Sequence, residues 1–475
     1  MEWIYDSWLY NFFAGSLNTV AWMYILLPCV FIGGILFTVG SGFVQLKHFG
    51  TAMKSTIGKM FKKSSAGKGA ITPLQAVTTA LAATVGTGNI VGTSQAIALG
   101  GYGAVFWLWI AACLGMVIKY SEVTLSIRYR ERNAKGDWVG GPMYYITNGL
   151  GAKWKWLAVT FCILAALAAF GIGNMSQANS IVGSVNGAIL AFAPDFSAQN
   201  TVNWILGIAL AALTALVLFG GIKRIGSVTE KLIPFMSILY VLLALIVILA
   251  HIGNIGSAFG KIFAAAFAPK AVLGAASGIM LRQAVIWGLR RSAFSNEAGL
   301  GSAPIAHAAA ECDNPVEQGF FGVFEVFVDT LVICTITALC IIMSGIDINF
   351  GVKPGSELIM NAFATVFGTK LSGLFVAFAL TLFAYSTILG WSLYGSRCVE
   401  YLFGLKGSKI YQLFFILIIV VGCVSSLNFV WDIADTFNGL MAIPNFIALF
   451  ALCPVVFKMT KDYFKKSPLQ KGGCP

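Results

Sequence analysis

Along the chain, runs of roughly 20 apolar residues follow one another, separated by short polar stretches. A helical run of that length matches the hydrocarbon thickness of a bilayer. Eleven spans are predicted, near residues 18–40, 72–98, 103–124, 156–180, 203–222, 232–251, 280–306, 319–344, 371–394, 409–427 and 436–457. The expected fold class is an all-α polytopic membrane protein. No charge falls between residues 156 and 194, so the fourth span is expected to be long and tilted.

Two spans break the pattern. Residues 82–98 read AATVGTGNIVGTSQAIA, with Gly86, Gly88 and Gly92 where an ordinary spanning helix carries Leu or Val. Thr84, Thr87 and Asn89 add polar groups at the same depth. In hydrocarbon every loosened backbone N–H or C=O must find a partner, so irregular backbone at mid-membrane marks a binding site. The second interrupted span aligns with the first at a constant offset of 208. Residues 75–98 and 283–306 share Gln75/Gln283, Ala76/Ala284, Val77/Val285, Leu81/Leu289, Ser94/Ser302, Ile97/Ile305 and Ala98/Ala306. Each segment opens a set of five spans, and five is odd, so the second set is inverted relative to the first. Paired, interrupted segments in inverted halves are the sequence signature of a secondary-transporter site. The expected organisation is an N-terminal extra helix (1–44), a basic cytoplasmic loop (45–71) and a first five-helix repeat (72–251). An extracellular connection (252–279), a second, inverted repeat (280–457) and a cytoplasmic tail (458–475) follow.

The net charge of +12 changes the picture only through its placement. Basic residues crowd alternate loops, Lys47 to Lys68, Lys119 to Lys155, Lys223 to Lys231, Arg397 to Lys409 and the tail from Lys458. The other side has only Lys261, Lys270, Lys353 and Lys370, while Arg282, Arg290 and Arg291 fall in the seventh span. The positive-inside rule then places the N-terminus outside and the C-terminus in the cytoplasm of a cell membrane. Alternation between loops argues against a nucleic-acid surface. The acidic start MEWIYDSW lacks a basic n-region, so no cleavable signal is expected. Ten Cys without a CxxC pair and three dispersed His give no zinc or disulfide framework. No GxxxxGK[ST] and no HExxH occur, so neither an ATP-driven pump nor an enzyme is expected, and no organic cofactor. A channel would need a filter-like repeat, and none is present.

Longer motifs carry a family resemblance. Gly86-Thr87-Gly88-Asn89-Ile90-Val91-Gly92, then Ala96-Ile97-Ala98-Leu99-Gly100-Gly101 and Gly103-Ala104-Val105-Phe106-Trp107, resemble the alanine or glycine:cation symporter family. So do Phe294-Ser295-Asn296-Glu297-Ala298-Gly299-Leu300-Gly301-Ser302-Ala303-Pro304 and Gly140-Gly141-Pro142-Met143-Tyr144-Tyr145. The resemblance covers nearly the whole chain. It implies a fold similar to the leucine transporter, whose first core helix has a GxGN matching Gly86–Asn89, with a five-plus-five inverted repeat. It also implies sodium-coupled symport of alanine or glycine.

Within that frame, backbone N–H groups at Gly86, Thr87 and Gly88 would hold a substrate carboxylate, helped by Thr87 or Asn89. Carbonyls freed near Phe294, Ser295 and Asn296 would take the ammonium. Asn174 and Gln177 would cap the substrate, or else bond between helices. The resemblance implies a sodium site between the ninth span and the first broken helix, with Ser386, Thr387, the carbonyls of Ala82 and Val85, and more weakly Thr381. Sodium is a hard cation and takes oxygen ligands. Arg290, Arg291, Glu297, Glu325 and Asp329 would either brace the bundle as ion pairs or act as gate or coupling charges. Glu325 and Asp329, four apart, share one helical face. Proton coupling through one of these carboxylates is the alternative to sodium. Oligomeric state is open, a monomer being compatible with the sequence.

Overall fold

The computed structural model describes residues 7–60, 70–267, 281–312 and 314–465. Parts of the expected N-terminal stretch (1–6), basic loop (61–69), extracellular connection (268–280) and tail (466–475) lie outside the described residues.

Eight helical segments among the described residues are long and apolar enough to cross a membrane. These are α1 (Asn11–Gly40), α5 (Gly103–Arg128), α6 (Ala152–Phe192), α7 (Gln199–Leu218), α8 (Gly221–Ala250), α12 (Pro315–Met343), α13 (Glu357–Val424) and α14 (Leu427–Lys465). The shorter ones are α2 (Phe49–Met60), α3 (Pro73–Thr84), α4 (Thr93–Gly100), α9 (Ile255–Phe267), α10 (Leu281–Asn296) and α11 (Ala303–His307). A two-residue hairpin, β1 (Glu131–Arg132) antiparallel to β2 (Trp138–Val139), joins α5 to the turn before α6. The charge-free stretch makes up most of α6, a 41-residue helix that runs past the expected end at 180. α13 is not one rod. Gly368 (φ 74°) and Gly404 (φ 70°) take left-handed conformations inside it and divide it into three helical stretches. The expected basic loop is helical over Val44–Lys47 and Phe49–Met60, and α2 packs on α12.

The two interrupted segments are α3 with α4, and α10 with α11. Local chemistry starts the first. Thr72 accepts from the Gln75 N–H while the Gln75 side chain accepts from the Thr72 N–H, and Pro73 begins the helix. The two segments run antiparallel. At one end Ile71 N–H donates to Ala309 O (3.1 Å) and Glu311 N–H donates to Ile71 O (3.0 Å). At the other end the missing Cβ of Gly100 would sit 2.8 Å from the Trp287 Cβ and 3.2 Å from the Gln283 carbonyl. The start of each lies against the end of the other, as an inverted pair requires. α5, α12, α13 and α14 surround this pair, while α1 packs outside them on α5 and α14.

Candidate substrate and ion site

α3 ends at Thr84, where Val85 turns to extended backbone (φ −80°, ψ 93°). Beyond it, Gly88–Gly92 forms a wide turn with i→i+5 bonding before α4 resumes. Similar wide turns lie at Gly171–Met175 in α6 and Phe327–Cys334 in α12. Such turns free backbone groups and are common at functional sites. The polar residues of the break are fully buried, Thr87 and Asn89 at 0% exposure. Ligand access therefore requires helix movement.

Asn89 holds the break in shape. Its Oδ1 accepts from Gly86 N–H (2.9 Å), and its Nδ2 donates to Asp329 Oδ1 (2.6 Å) and Asp329 O (2.9 Å). The Thr87 N–H donates to Gln177 Oε1 (3.3 Å), and Gln177 Nε2 donates to Ile172 O (2.8 Å). The Thr87 hydroxyl is buried without a hydrogen-bond partner. A buried hydroxyl without a partner is costly, and it leaves Thr87 able to accept or donate one further bond at the break. Gly88 faces the second broken helix, where a Cβ would lie 3.0 Å from the Ser295 Cα. Gly86, Thr87, Gly88, Gln177 and Ser295 therefore converge. Asn174 does not join them in the same way: its Nδ2 donates to Phe415 O (2.6 Å), an interhelical bond.

The second break lies one turn later than its sequence pointed. α10 continues through Phe294, Ser295 and Asn296, and the chain opens over Glu297–Ser302. Glu297 (φ 57°), Gly299 (φ 88°) and Gly301 (φ 78°) take left-handed conformations there. The reason is the GLGSAP run: two glycines permit the turn, and Pro304 favours a fresh helix start rather than continuation. The Asn296 carbonyl at the end of α10 is taken by the Lys119 ammonium (2.6 Å). Phe294 stacks on Trp431 at 5.0 Å.

Ser386 and Thr387 of α13 meet the end of α3 at the Ala82 carbonyl, while the Val85 carbonyl has no contact with either hydroxyl among the hydrogen bonds of the described residues. Ser386 Oγ and Thr387 Oγ1 lie 3.3 and 3.0 Å from the Ala82 carbonyl. Each also bonds back to Phe383 O, at 2.8 and 3.1 Å. A Cβ on Gly86 would meet Thr387 Oγ1 at 2.2 Å, so these hydroxyls adjoin the break itself. Thr381 instead donates to Ala377 O (2.7 Å), one helical turn back along its own helix.

The buried charges sort into separate groups. Asp329 receives only neutral donors, Asn89 Nδ2 (2.6 Å), Ser295 Oγ (3.1 Å) and Thr330 Oγ1 (2.6 Å). Glu325 pairs with Lys119 (2.9 Å) and His307 (3.1 Å) and accepts from Thr84 Oγ1 (2.5 Å). One carboxylate thus joins the end of α3, the end of α11 and α5. Glu297 accepts from Trp391 Nε1 (2.7 Å) and Ser302 Oγ (2.6 Å). Arg290 and Arg291 both pair with Asp435 on α14, at 2.8 and 2.9 Å.

Three participants were missed. Lys119, counted above with the cytoplasmic loop charges, lies inside α5 at 0% exposure. Its position within the predicted span 103–124 was the available signal. Asp435 had no such signal, since its arginine partners are remote in sequence. Asn438 is fully buried, with both Oδ1 and Nδ2 unpartnered. It lies on α14 between Asp435, paired with Arg291, and Asn445, whose Nδ2 donates to Gly299 O (2.8 Å). By helical spacing it shares the face toward the second broken helix.

A helical bundle whose two interrupted helices face each other across buried hydroxyls and carbonyls defines a membrane transporter, not an enzyme. The sodium:alanine symporter family model matches residues 7–473. A sodium/alanine symporter, AgcS of Methanococcus maripaludis, is 43% identical over 452 residues, covering 94% of this chain and 96% of that protein. An uncharacterized transporter of Haemophilus influenzae is 41% identical over 455 residues, covering 95% of each. Among solved structures, MhsT in complex with L-phenylalanine aligns with TM-score 0.60 at 16% identity, covering 84% of this chain and 99% of that one, a likeness of fold. The chain belongs to the sodium:alanine symporter family and is a multi-pass membrane transporter.

Proposed function

We propose that this protein carries a small neutral amino acid, alanine or glycine, into the cell together with Na⁺, by alternating access. The observation that carries the reading is the convergence of Ser386 and Thr387 on the Ala82 carbonyl beside Gly86, the residue before Thr87. Hydroxyl and carbonyl oxygens suit a hard monovalent cation. The relative from Methanococcus maripaludis bears the name sodium/alanine symporter, which favours the same substrate and ion. Eleven crossings, with the N-terminus outside, follow if each broken segment and the two long stretches of α13 each span once. The substrate sits at the first break, its carboxylate toward Gly86–Gly88 and its ammonium toward the last turn of α10.

In this scheme the buried groups divide the labour. Arg290 and Arg291 with Asp435 close the outer side, and Lys119 with Glu325 and His307 close the inner side. Sodium bound between α3 and α13 holds the first break in the shape that accepts substrate. One Na⁺ moving down 100 mV yields about 2.3 kcal/mol. A tenfold gradient adds about 1.4 kcal/mol. The total supports roughly 500-fold accumulation of a neutral substrate.

Proton coupling is the second reading, favoured by Asp329, a fully buried carboxylate whose partners are all neutral. Uptake of labelled alanine or glycine into proteoliposomes, at fixed pH with and without an inward Na⁺ gradient, separates the two. Concentrative uptake that needs Na⁺ is expected. Uptake driven by a proton gradient alone would overturn sodium coupling, and uptake of neither alanine nor glycine under either gradient would overturn the substrate.

A further inference from the structure

The carboxyl-terminal turns of α14 and the end of α1 meet in a groove of about 760 Å³ that the transport site does not use. Gly40 closes against Phe457, and the Phe37 and Phe457 rings pack edge to face at 5.8 Å. His48 stacks on Phe464 at 3.7 Å, and both line the groove. Lys458, Lys461 and Lys465 follow at i, i+3 and i+7, so they form one stripe along α14. Lys47 stands on the opposite wall. All four lysines are exposed, and none makes an ion pair with a described residue. Asp462, exposed on the same helix, makes none either and does not line the groove.

The wall beside the charges is apolar. Val39, 61% exposed, lines it with Phe457 and Phe464. A free anion would use only the lysines and leave this wall in water. A lipid would use both, with its phosphate over the lysines and an acyl chain along α1. Basic pockets between membrane helices at the cytoplasmic surface favour anionic head groups.

We propose that this groove binds one anionic phospholipid, which fastens α1 to α14. The cytoplasmic location rests on the orientation proposed above, whereas lipid binding itself does not depend on the transported substrate.

The test titrates the purified full chain in neutral detergent with dioleoylphosphatidylglycerol or dioleoylphosphatidylcholine and counts bound lipid by native mass spectrometry. One phosphatidylglycerol is expected to remain at concentrations where phosphatidylcholine has left. The variant Lys458→Gln/Lys461→Gln/Lys465→Gln is expected to bind it at least roughly tenfold more weakly. Lys47→Gln, on the other wall, gives a smaller loss in the same direction. Lys223→Gln/Lys231→Gln/Lys409→Gln changes the same charge at exposed positions elsewhere and keeps the lipid. Equal loss in both triple variants, equal retention of phosphatidylcholine, or displacement of the lipid by millimolar inorganic phosphate would each overturn the proposal. Unchanged melting temperature in the variants separates lost binding from lost fold.

Discussion

Replacing Thr387 by Val tests the ion site with little change of shape, because the two side chains share their branching. The hydroxyl removed lies 3.0 Å from Ala82 O and 3.1 Å from Phe383 O. Losing a neutral hydrogen bond between helices costs about 1 kcal/mol, too little to unfold a bundle this size. Losing an oxygen that contacts a cation costs about 1.5–3 kcal/mol, by analogy with hydrogen bonds to charged groups. That range corresponds to roughly 10- to 150-fold in affinity. The half-saturating Na⁺ concentration for alanine uptake into proteoliposomes should therefore rise by that factor, with the maximal rate at saturating Na⁺ largely kept. Thr381→Val is the internal control, since Thr381 bonds back to Ala377 O at 2.7 Å. It should leave the Na⁺ dependence where it was. The assignment fails if Thr387→Val shifts Na⁺ half-saturation by less than twofold, or if Thr381→Val produces an equal shift.

Other substitutions probe the neighbouring packing. Gly86→Ala would put a methyl 2.2 Å from Thr387 Oγ1 and 3.3 Å from Gln177 Oε1. Overpacking of that kind costs about 1–3 kcal/mol, and uptake should fall steeply while the protein still elutes as a single species. Lys119→Met strips Glu325 of its ammonium partner and should cost about 3–5 kcal/mol, read as a lower melting temperature in detergent. Adding Glu325→Leu to Lys119→Met should recover much of that loss, and a double variant no better than the single would count against a paired buried charge. Asn438→Leu should leave stability unchanged or improved, because neither amide atom is bonded, while weakening uptake. Unaltered transport kinetics in Asn438→Leu would remove that residue from the site.

Much of this architecture could be read from the chain because membrane burial imposes strict patterning. Gly86, Gly88 and Asn89 announced the first break, and a hydroxyl pair in an otherwise apolar span announced Ser386 and Thr387. Antiparallel placement of the broken segments followed from their offset of five spans, an odd number. The second break was misplaced because the aligned residues share sequence while their turn chemistry differs: Gly299, Gly301 and Pro304 act after Asn296, not before it. Lys119 was misread because loop counting takes basic residues near a span end as exposed, whereas this one is paid for by Glu325 on a helix far along the chain. Tertiary partners such as Asp435 for Arg291 leave no local pattern to read. The bond from Asn174 Nδ2 to Phe415 O is likewise a matter of packing.

The pairing of Thr84 with Glu325 and of Asn89 with Asp329 joins residues 241 and 240 positions apart. At synthesis rates of about 5–20 residues per second, the first broken helix therefore waits roughly 12–50 s for these partners. Through that interval its amide and hydroxyl groups must be kept wet or held by the insertion machinery, since lipid offers them nothing. Biogenesis of the amino-terminal half is thus hostage to the carboxyl-terminal half. A fragment ending before residue 325 should be inserted yet cleared by quality control, and many substitutions around Glu325 and Asp329 will register in cells as missing protein before they register as slow transport.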